Sequence, residues 1–207
     1  MIDFTLIGTI FLIHLLALIS PGPDFIVAIK NAMTYSRKTG LWTAIGFSLG
    51  ITVHISYCIA GLAVLLTKYV LLFTAIKYLG AIYLMYLGIR TLLAKKESLR
   101  MADKQKTKDI SPLQSIRIGF LTNLLNPKAT LFILSLFTLA ISPDTSYATL
   151  TIICIMMILS TALWFMFVAY FFTQKRVLVV FNRFQHTFNK LFGGLLLAVG
   201  IKVALMQ

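Results

Sequence analysis

Acidic side chains are scarce in this sequence: six Asp and Glu stand against nineteen Lys and Arg, a formal net charge of +13 over 207 residues. Charge of either sign is rare as well, at 12% of residues against about 25% in an ordinary soluble domain, while 59% of the residues are apolar. With a mean hydropathy of +0.91 there is too little polar surface to coat a globule, which excludes soluble enzymes and free-standing binding domains. The composition is that of an integral membrane protein. At about 20 residues per span plus short connections, the length holds roughly six helices and no extramembrane domain. In a soluble chain so large a positive charge would suggest nucleic acid. Here the Lys and Arg must lie at the ends of apolar spans, so the charge reads as topology and no nucleic-acid partner is expected.

Cysteine is nearly missing too. Cys58 and Cys154 sit inside apolar runs, with no C-x-x-C pair and no metal-type spacing to a histidine. The sequence also lacks a G-x-x-x-x-G-K-[ST] loop, which argues against direct use of ATP. No cofactor or metal is expected. Basic charge is absent ahead of the first apolar run, where Met1, Ile2 and Asp3 stand, and Leu18-Ile19-Ser20 is not a small-residue cleavage site. Residues 4–19 therefore read as a retained span and not as a signal peptide.

The clearest spans are Leu41–Leu66 and Tyr147–Thr173, followed by Tyr69–Ala94 and Arg183–Met206. Lys77 and Arg90 in the third span, like Lys190 and Lys202 in the last, are about 18–20 Å apart at 1.5 Å per residue, so each pair can snorkel toward opposite headgroup layers. Segments 4–36 and 113–141 are too long for one simple span, and each carries proline near its middle. When each basic residue is assigned to the nearer helix end, fifteen fall on one face and Lys68, Lys77 and Lys202 on the other. By the positive-inside rule the first face is cytoplasmic and both termini are outside. The basic stretch 95–112 is then a solvated cytoplasmic loop, in reach of anionic lipid.

Pro23-Asp24 aligns with Pro127-Lys128 at an offset of 104, and Gly88-Ile89-Arg90 with Gly200-Ile201-Lys202 at an offset of 112. Residues 1–94 and 113–207 thus read as two three-helix repeats. Three spans is an odd number, so equivalent halves enter the membrane in opposite directions, as in many secondary transporters. The fold expected is all-α, with six transmembrane helices in two inverted repeats and with the first and fourth helices broken. Gly46 and Gly50 form a GxxxG and Gly194 with Ala198 a small-xxx-small pair, both suited to close helix packing, as are Gly80, Gly88, Gly193 and Gly200. Gly-rich faces are also compatible with a homo-oligomer.

The two breaks carry the candidate chemistry. In Ser20-Pro21-Gly22-Pro23-Asp24 two prolines stop the preceding helix, Ser20 is suited to cap a new one, and Asp24 falls where a helix dipole favours a carboxylate. The apolar run Phe4–Ile19 spans about 24 Å, short of a crossing, so the break lies within the membrane. Free backbone groups at that depth are tolerated where they are buried in protein or line a polar cavity. Asn126-Pro127-Lys128 breaks the second segment in the same way and puts an ammonium at membrane depth, with Asp24 as its expected partner. A carboxylate and an ammonium facing one cavity suit a zwitterionic amino acid; an ion pair that only locks two helices is the competing reading. Asn123 and Asn126 are suited to bind either substrate or a neighbouring helix. His54 in the second span and His14 in the first are candidates for a proton path or for simple hydrogen bonding between helices.

The run from His14 through Ser20-Pro21-Gly22-Pro23-Asp24-Phe25 resembles the amino-terminal signature of the LysE superfamily of amino-acid exporters, in particular its homoserine/threonine resistance branch. Gly119-Phe120-Leu121-Thr122-Asn123-Leu124-Leu125-Asn126-Pro127-Lys128-Ala129 is similar to the same family's second motif, and the likeness extends over essentially the whole chain. Around Ser20–Phe25 the pattern is most similar to threonine efflux proteins. The resemblance implies proton-driven export of a small amino acid across a bacterial inner membrane. It implies a site for substrate and protons at Ser20, Pro21, Gly22, Pro23, Asp24, Asn123, Asn126, Pro127 and Lys128, to which His54 is added as a proton-path candidate. Two other classes stay open. A metal or ion exporter needs several acidic, His or Cys ligands, and a membrane thiol–disulfide carrier would pair Cys58 with Cys154.

Overall fold

A computed structural model describes residues 1–20, 22–94, 108–140, 142 and 145–205. Pro21 and residues 95–107 of the basic loop lie outside the described residues. The elements are α1 (Phe4–Ile19), α2 (Pro23–Thr34), α3 (Arg37–Lys68), α4 (Val70–Leu92), α5 (Pro112–Leu124), α6 (Pro127–Ala140), α7 (Tyr147–Phe171) and α8 (Lys175–Leu205). α3, α4, α7 and α8 are each long and apolar enough to cross a membrane. α1 with α2 and α5 with α6 form two bent pairs, turning by 55° and 60° at their breaks. With each pair taken as one span the protein is a six-span helical membrane protein, and the order bent pair, long helix, long helix occurs twice.

Local chemistry sets the helix starts. Asp3, Ser36, Ser111 and Ser146 each accept a hydrogen bond from a backbone N–H in the first turn that follows, and Pro23 and Pro112 occupy first-turn positions that need no donor. α8 begins at Lys175, ahead of the expected Arg183, because its first turns are basic and amphipathic and fall outside a purely apolar criterion. Side-chain bonds tie the helix ends into two layers. Asp3 N–H donates to Thr149 Oγ1 at 3.0 Å and Ser146 Oγ to Met1 O at 3.1 Å, so α1 and α7 start at one end. At the other, Ser36 Oγ donates to Asp109 Oδ2 at 2.8 Å and Arg37 Nε to Thr173 Oγ1 at 3.1 Å. Large apolar side chains such as Leu79, Ile82, Ile155 and Leu163 are exposed around the perimeter, as a lipid-facing surface requires.

Glycine sets the closest helix crossings. Gly46 of α3 faces Gly119 of α5, and a Cβ added to either would meet the other's Cα at 2.9 and 3.1 Å and collide with backbone carbonyls. One turn on, a Cβ at Gly50 would sit 2.6 Å from Asn123 Oδ1. The GxxxG thus brings α3 onto α5 and leaves room for Asn123. At the crossing of α4 and α8, Gly88 packs on Gly193 and Leu197, while Gly200 packs on Ala81 and Met85. Adding 112 to Ala81, Met85 and Gly88 gives Gly193, Leu197 and Gly200, so the two sets of contacts exchange with one another. Gly80 meets Ser135 of α6 at 3.2 Å. The expected pairing through Gly194 is corrected: nothing lies within 4 Å of a Cβ there, and its neighbour Gly193 faces α4 instead.

Candidate functional site

Both breaks free backbone carbonyls, and the geometry of the site follows from what satisfies them. Ser20 ends α1 as its C-cap, and Gly22, in extended conformation, is the N-cap of α2. This corrects the expectation that Ser20 caps the new helix. Pro23 takes the first helical position, so the cap is the residue directly before it, two positions beyond Ser20. Asp24 then lies in the first turn of α2, buried at 8% exposure, where the helix dipole favours its negative charge. In the second break Asn126 caps α6, its Oδ1 accepting from Lys128 N at 3.0 Å, with Pro127 starting the helix.

Pro127 has no N–H to offer Asn123 four residues back. The freed Asn123 carbonyl accepts instead from Asn126 N at 3.0 Å and from His54 Nε2 at 3.1 Å. That bond makes Nε2 the protonated nitrogen, and in the neutral ring Nδ1 accepts from Tyr57 Oη at 2.7 Å. His54 therefore braces the second break from behind.

Lys128 and Asp24 do not bond directly, contrary to the expected ion pair. Lys128 Nζ donates to the Ser20 carbonyl at 3.1 Å, at the negative end of the α1 dipole, and lies 5.8 Å from the centroid of the Phe192 ring. A Cβ at Gly22 would touch Lys128 Cδ and Nζ at 3.4 Å, so the lysine stem runs across the glycine. Asp24 Oδ2 accepts from Asn123 Nδ2 at 2.8 Å. One hydrogen bond thus joins α2 to α5, and another joins α1 to α6.

These groups enclose a cavity of about 50 Å³ lined by Ser20, Gly22, Asp24, Asn123, Asn126 and Lys128, with His14 and Thr161 on a further wall and Ile51, Phe132, Ile133 and Phe165 among its apolar lining. Of the expected site residues, Pro21 lies outside the described residues, Pro23 and Pro127 shape the breaks without lining this cavity, and His54 stands behind Asn123. His14, a proton-path candidate from the sequence, lines the cavity, and Thr161 is the addition. Thr161 Oγ1 donates to Met157 O at 2.8 Å, so its bond with His14 Nε2 at 3.2 Å must have the imidazole as donor. His14 Nδ1 then carries a lone pair. Three buried acceptors, His14 Nδ1, Asp24 Oδ1 and Asn123 Oδ1, make no hydrogen bond within the protein. Each such atom is worth about 1–3 kcal/mol if left unpaired, and three on residues around one cavity mark a site built to receive donors.

A volume of 50 Å³ accommodates about three to five waters at ~10–15 Å³ each, so only a small ligand fits without movement of the walls. A second, wider vestibule of about 810 Å³ adjoins it, sharing Ser20, Gly22, Asn126 and Lys128 and extending along α4 and α8 to Arg90 and Ala94. Among the described residues no three His, Cys, Asp or Glu side chains gather to hold a metal ion. Cys58 and Cys154 are unbridged and pack in or against an apolar core away from the cavity.

Residues 15–207 match the family described as LysE type translocator. The chain is 34% identical to an uncharacterized membrane protein, YrhP, of Bacillus subtilis over 90% of this chain and 92% of the relative. It is 29% identical to a threonine efflux protein of Escherichia coli K12, covering 96% and 97% of the two chains. A leucine efflux protein of Salmonella choleraesuis is 33% identical over 64% of this chain and 59% of its own. No solved structure gives a significant match.

Proposed function

The chain belongs to the LysE type translocator family of membrane transporters, and from that premise we propose that it exports a small, threonine- or homoserine-like amino acid from the bacterial cytoplasm in exchange for protons. One observation carries the reading: three unpartnered acceptors and one buried ammonium surround a single small cavity where two helix breaks meet. An α-ammonium has three N–H donors, matching His14 Nδ1, Asp24 Oδ1 and Asn123 Oδ1 in number and polarity. The α-carboxylate goes to Lys128 and to the N-terminal N–H groups of α6, and the apolar wall takes the short side chain.

The reaction cycle follows from charge. With substrate bound, the ammonium neutralises Asp24 and the carboxylate neutralises Lys128. When substrate leaves, Asp24 faces water from the opposite side and takes a proton in place of the ammonium, so the empty carrier returns with the proton and no nucleotide is consumed. Residues 1–94 and 113–207 act as inverted repeats that rock about the midplane site; the exchange of contacts by 112 residues between α4 and α8 supports that relation. The excess of Lys and Arg around the C-terminal end of α4 supports a cytoplasmic location for that end and an outside location for both termini. Cargo and protons are then the partners, with no cofactor.

The test is efflux of preloaded labelled threonine and homoserine from proteoliposomes under an imposed pH gradient, with wild type beside Asp24→Asn. Gradient-driven efflux that disappears in the folded variant supports Asp24 as the coupling carboxylate. Equal efflux from both would remove that role, and no efflux from either would refute the substrate class.

A further inference from the structure

Arg90, near the C-terminal end of α4, lies on the wall of the wide vestibule. That wall includes two cations, Arg90 and Lys128, and no acidic residue among those described. Arg90 is exposed and within electrostatic reach of Lys128. Opposite it, Gln185 and Asn189 stand one turn apart on the same face of α8, at 3% and 5% exposure. Gln185 Oε1 is buried without a hydrogen-bond partner. Gln185 is thus a buried amide in a membrane helix whose oxygen finds no partner among the described residues, on the wall of a vestibule that an exposed guanidinium also lines.

We propose that Arg90, Gln185 and Asn189 form a second binding site, which captures the zwitterion of the cargo amino acid in the vestibule before it reaches the cavity at Asp24 and Lys128. The proposal rests on the transport reading above. Arg90 takes the carboxylate as a two-pronged donor, and the Gln185 oxygen accepts from the ammonium. The rings of Tyr83 and Tyr86, on the same wall, present π faces to that ammonium. Because Arg90 and Lys128 line one continuous wall, the carboxylate passes from one cation to the next without returning to bulk water. The site lies at the α4 end and so meets solute from the cytoplasm alone.

Sidedness is the property to test. Half-saturating threonine concentrations are measured at each face, in inside-out and right-side-out vesicles, for wild type, Arg90→Gln, Arg90→Lys and Gln185→Leu. Arg90→Gln and Gln185→Leu are expected to raise the cytoplasmic value about tenfold, with Arg90→Lys between, while the outer value stays within about twofold. Threoninamide, which lacks the carboxylate, should compete equally well against wild type and Arg90→Gln. Unchanged values at both faces, or equal changes at both, would overturn the capture site and leave the transport reading standing. A cytoplasmic value that follows the phosphatidylglycerol content of the vesicles and ignores Arg90→Gln would assign the vestibule to a lipid headgroup and overturn the proposal. Wild-type protein that moves neither threonine nor homoserine refutes both.

Discussion

Substituting Gly50 by alanine tests the hold of α3 on the substrate site without touching any charged group. The added Cβ would sit 2.6 Å from Asn123 Oδ1, 2.8 Å from its Cβ and 3.0 Å from its Cγ, the nearest approach lying 0.8 Å inside the 3.4 Å of ordinary contact. Rotation about χ1 of Asn123 moves its Oδ1 and Cγ but not its Cβ, which is fixed to the α5 backbone, so relief requires both that the amide turn away and that α3 and α5 shift apart. Separation is opposed one turn away by the backbone contact of Gly46 with Gly119. The crossing is therefore strained, and the turned amide loses its 2.8 Å bond to Asp24 Oδ2. Overpacking costs about 1–3 kcal/mol and a hydrogen bond to a charged group contributes about 1.5–3 kcal/mol. Taken together these amount to at least about 2.5 kcal/mol, or a fall of at least about 5 °C in a thermal scan of the detergent-solubilised protein, by the scaling for chains of this size. Threonine efflux from proteoliposomes should fall at least about tenfold, because the displaced amide no longer orients the carboxylate. Gly46→Ala should be worse, since its Cβ meets backbone of α5 that cannot rotate away, and Gly61→Ala, with nothing within 4 Å, should be neutral. Wild-type stability and efflux in Gly50→Ala would refute the claim that Asn123 is held between α3 and Asp24.

Three further outcomes follow. His54→Ala removes one of the two donors to the Asn123 carbonyl, leaving Asn126 N, and should lower stability by about 0.5–1.5 kcal/mol, with His54→Gln recovering most of it in the same thermal scan. Thr161→Val keeps the shape of the wall but removes the acceptor that fixes the His14 tautomer, so apparent affinity for cargo should weaken about 2–10-fold with little change in unfolding temperature. Replacing both Cys58 and Cys154 by alanine should leave efflux intact, in reducing and oxidising buffer alike, because both pack in or against an apolar core and neither lines the cavity.

Strong local signals could be read in the sequence. Proline removes a donor wherever it stands, so the two breaks at Pro23 and Pro127 are visible from composition alone, and apolar runs long enough to cross define the four unbroken spans. The GxxxG at Gly46 and Gly50 was legible for the same reason, since only small residues allow backbones to touch. What depended on rotation about a helix axis was not legible. Spacing placed Lys128 and Asp24 at one depth, but the direction of the lysine stem is set by the freed Ser20 carbonyl and by Gly22, which no residue pattern specifies. Choosing Gly193 over Gly194 for the α4 contact is likewise a matter of one helical step. His14 stood among the candidates as a lone histidine; its open nitrogen is defined only by Thr161, from a distant part of the chain. Gln185 and Asn189 carry a usable signal, two amides one turn apart in the amphipathic first half of α8, but the flanking basic residues make it look like an ordinary polar helix face.

The seam between α4 and α8 maps onto itself when residue numbers shift by 112, so it can serve unchanged in a conformation open to either side. The two mouths it would then frame are not alike. The same shift turns Tyr83 into Leu195, Gln185 into Phe73, Asn189 into Lys77 and Arg90 into Lys202. Among these four equivalents are two cations but neither an amide nor a phenol. On the transport reading proposed above, a zwitterion would be gripped at both ends on its way in from the cytoplasm and at one end on its way out, an adhesive intake joined to a slippery outlet through a common hinge.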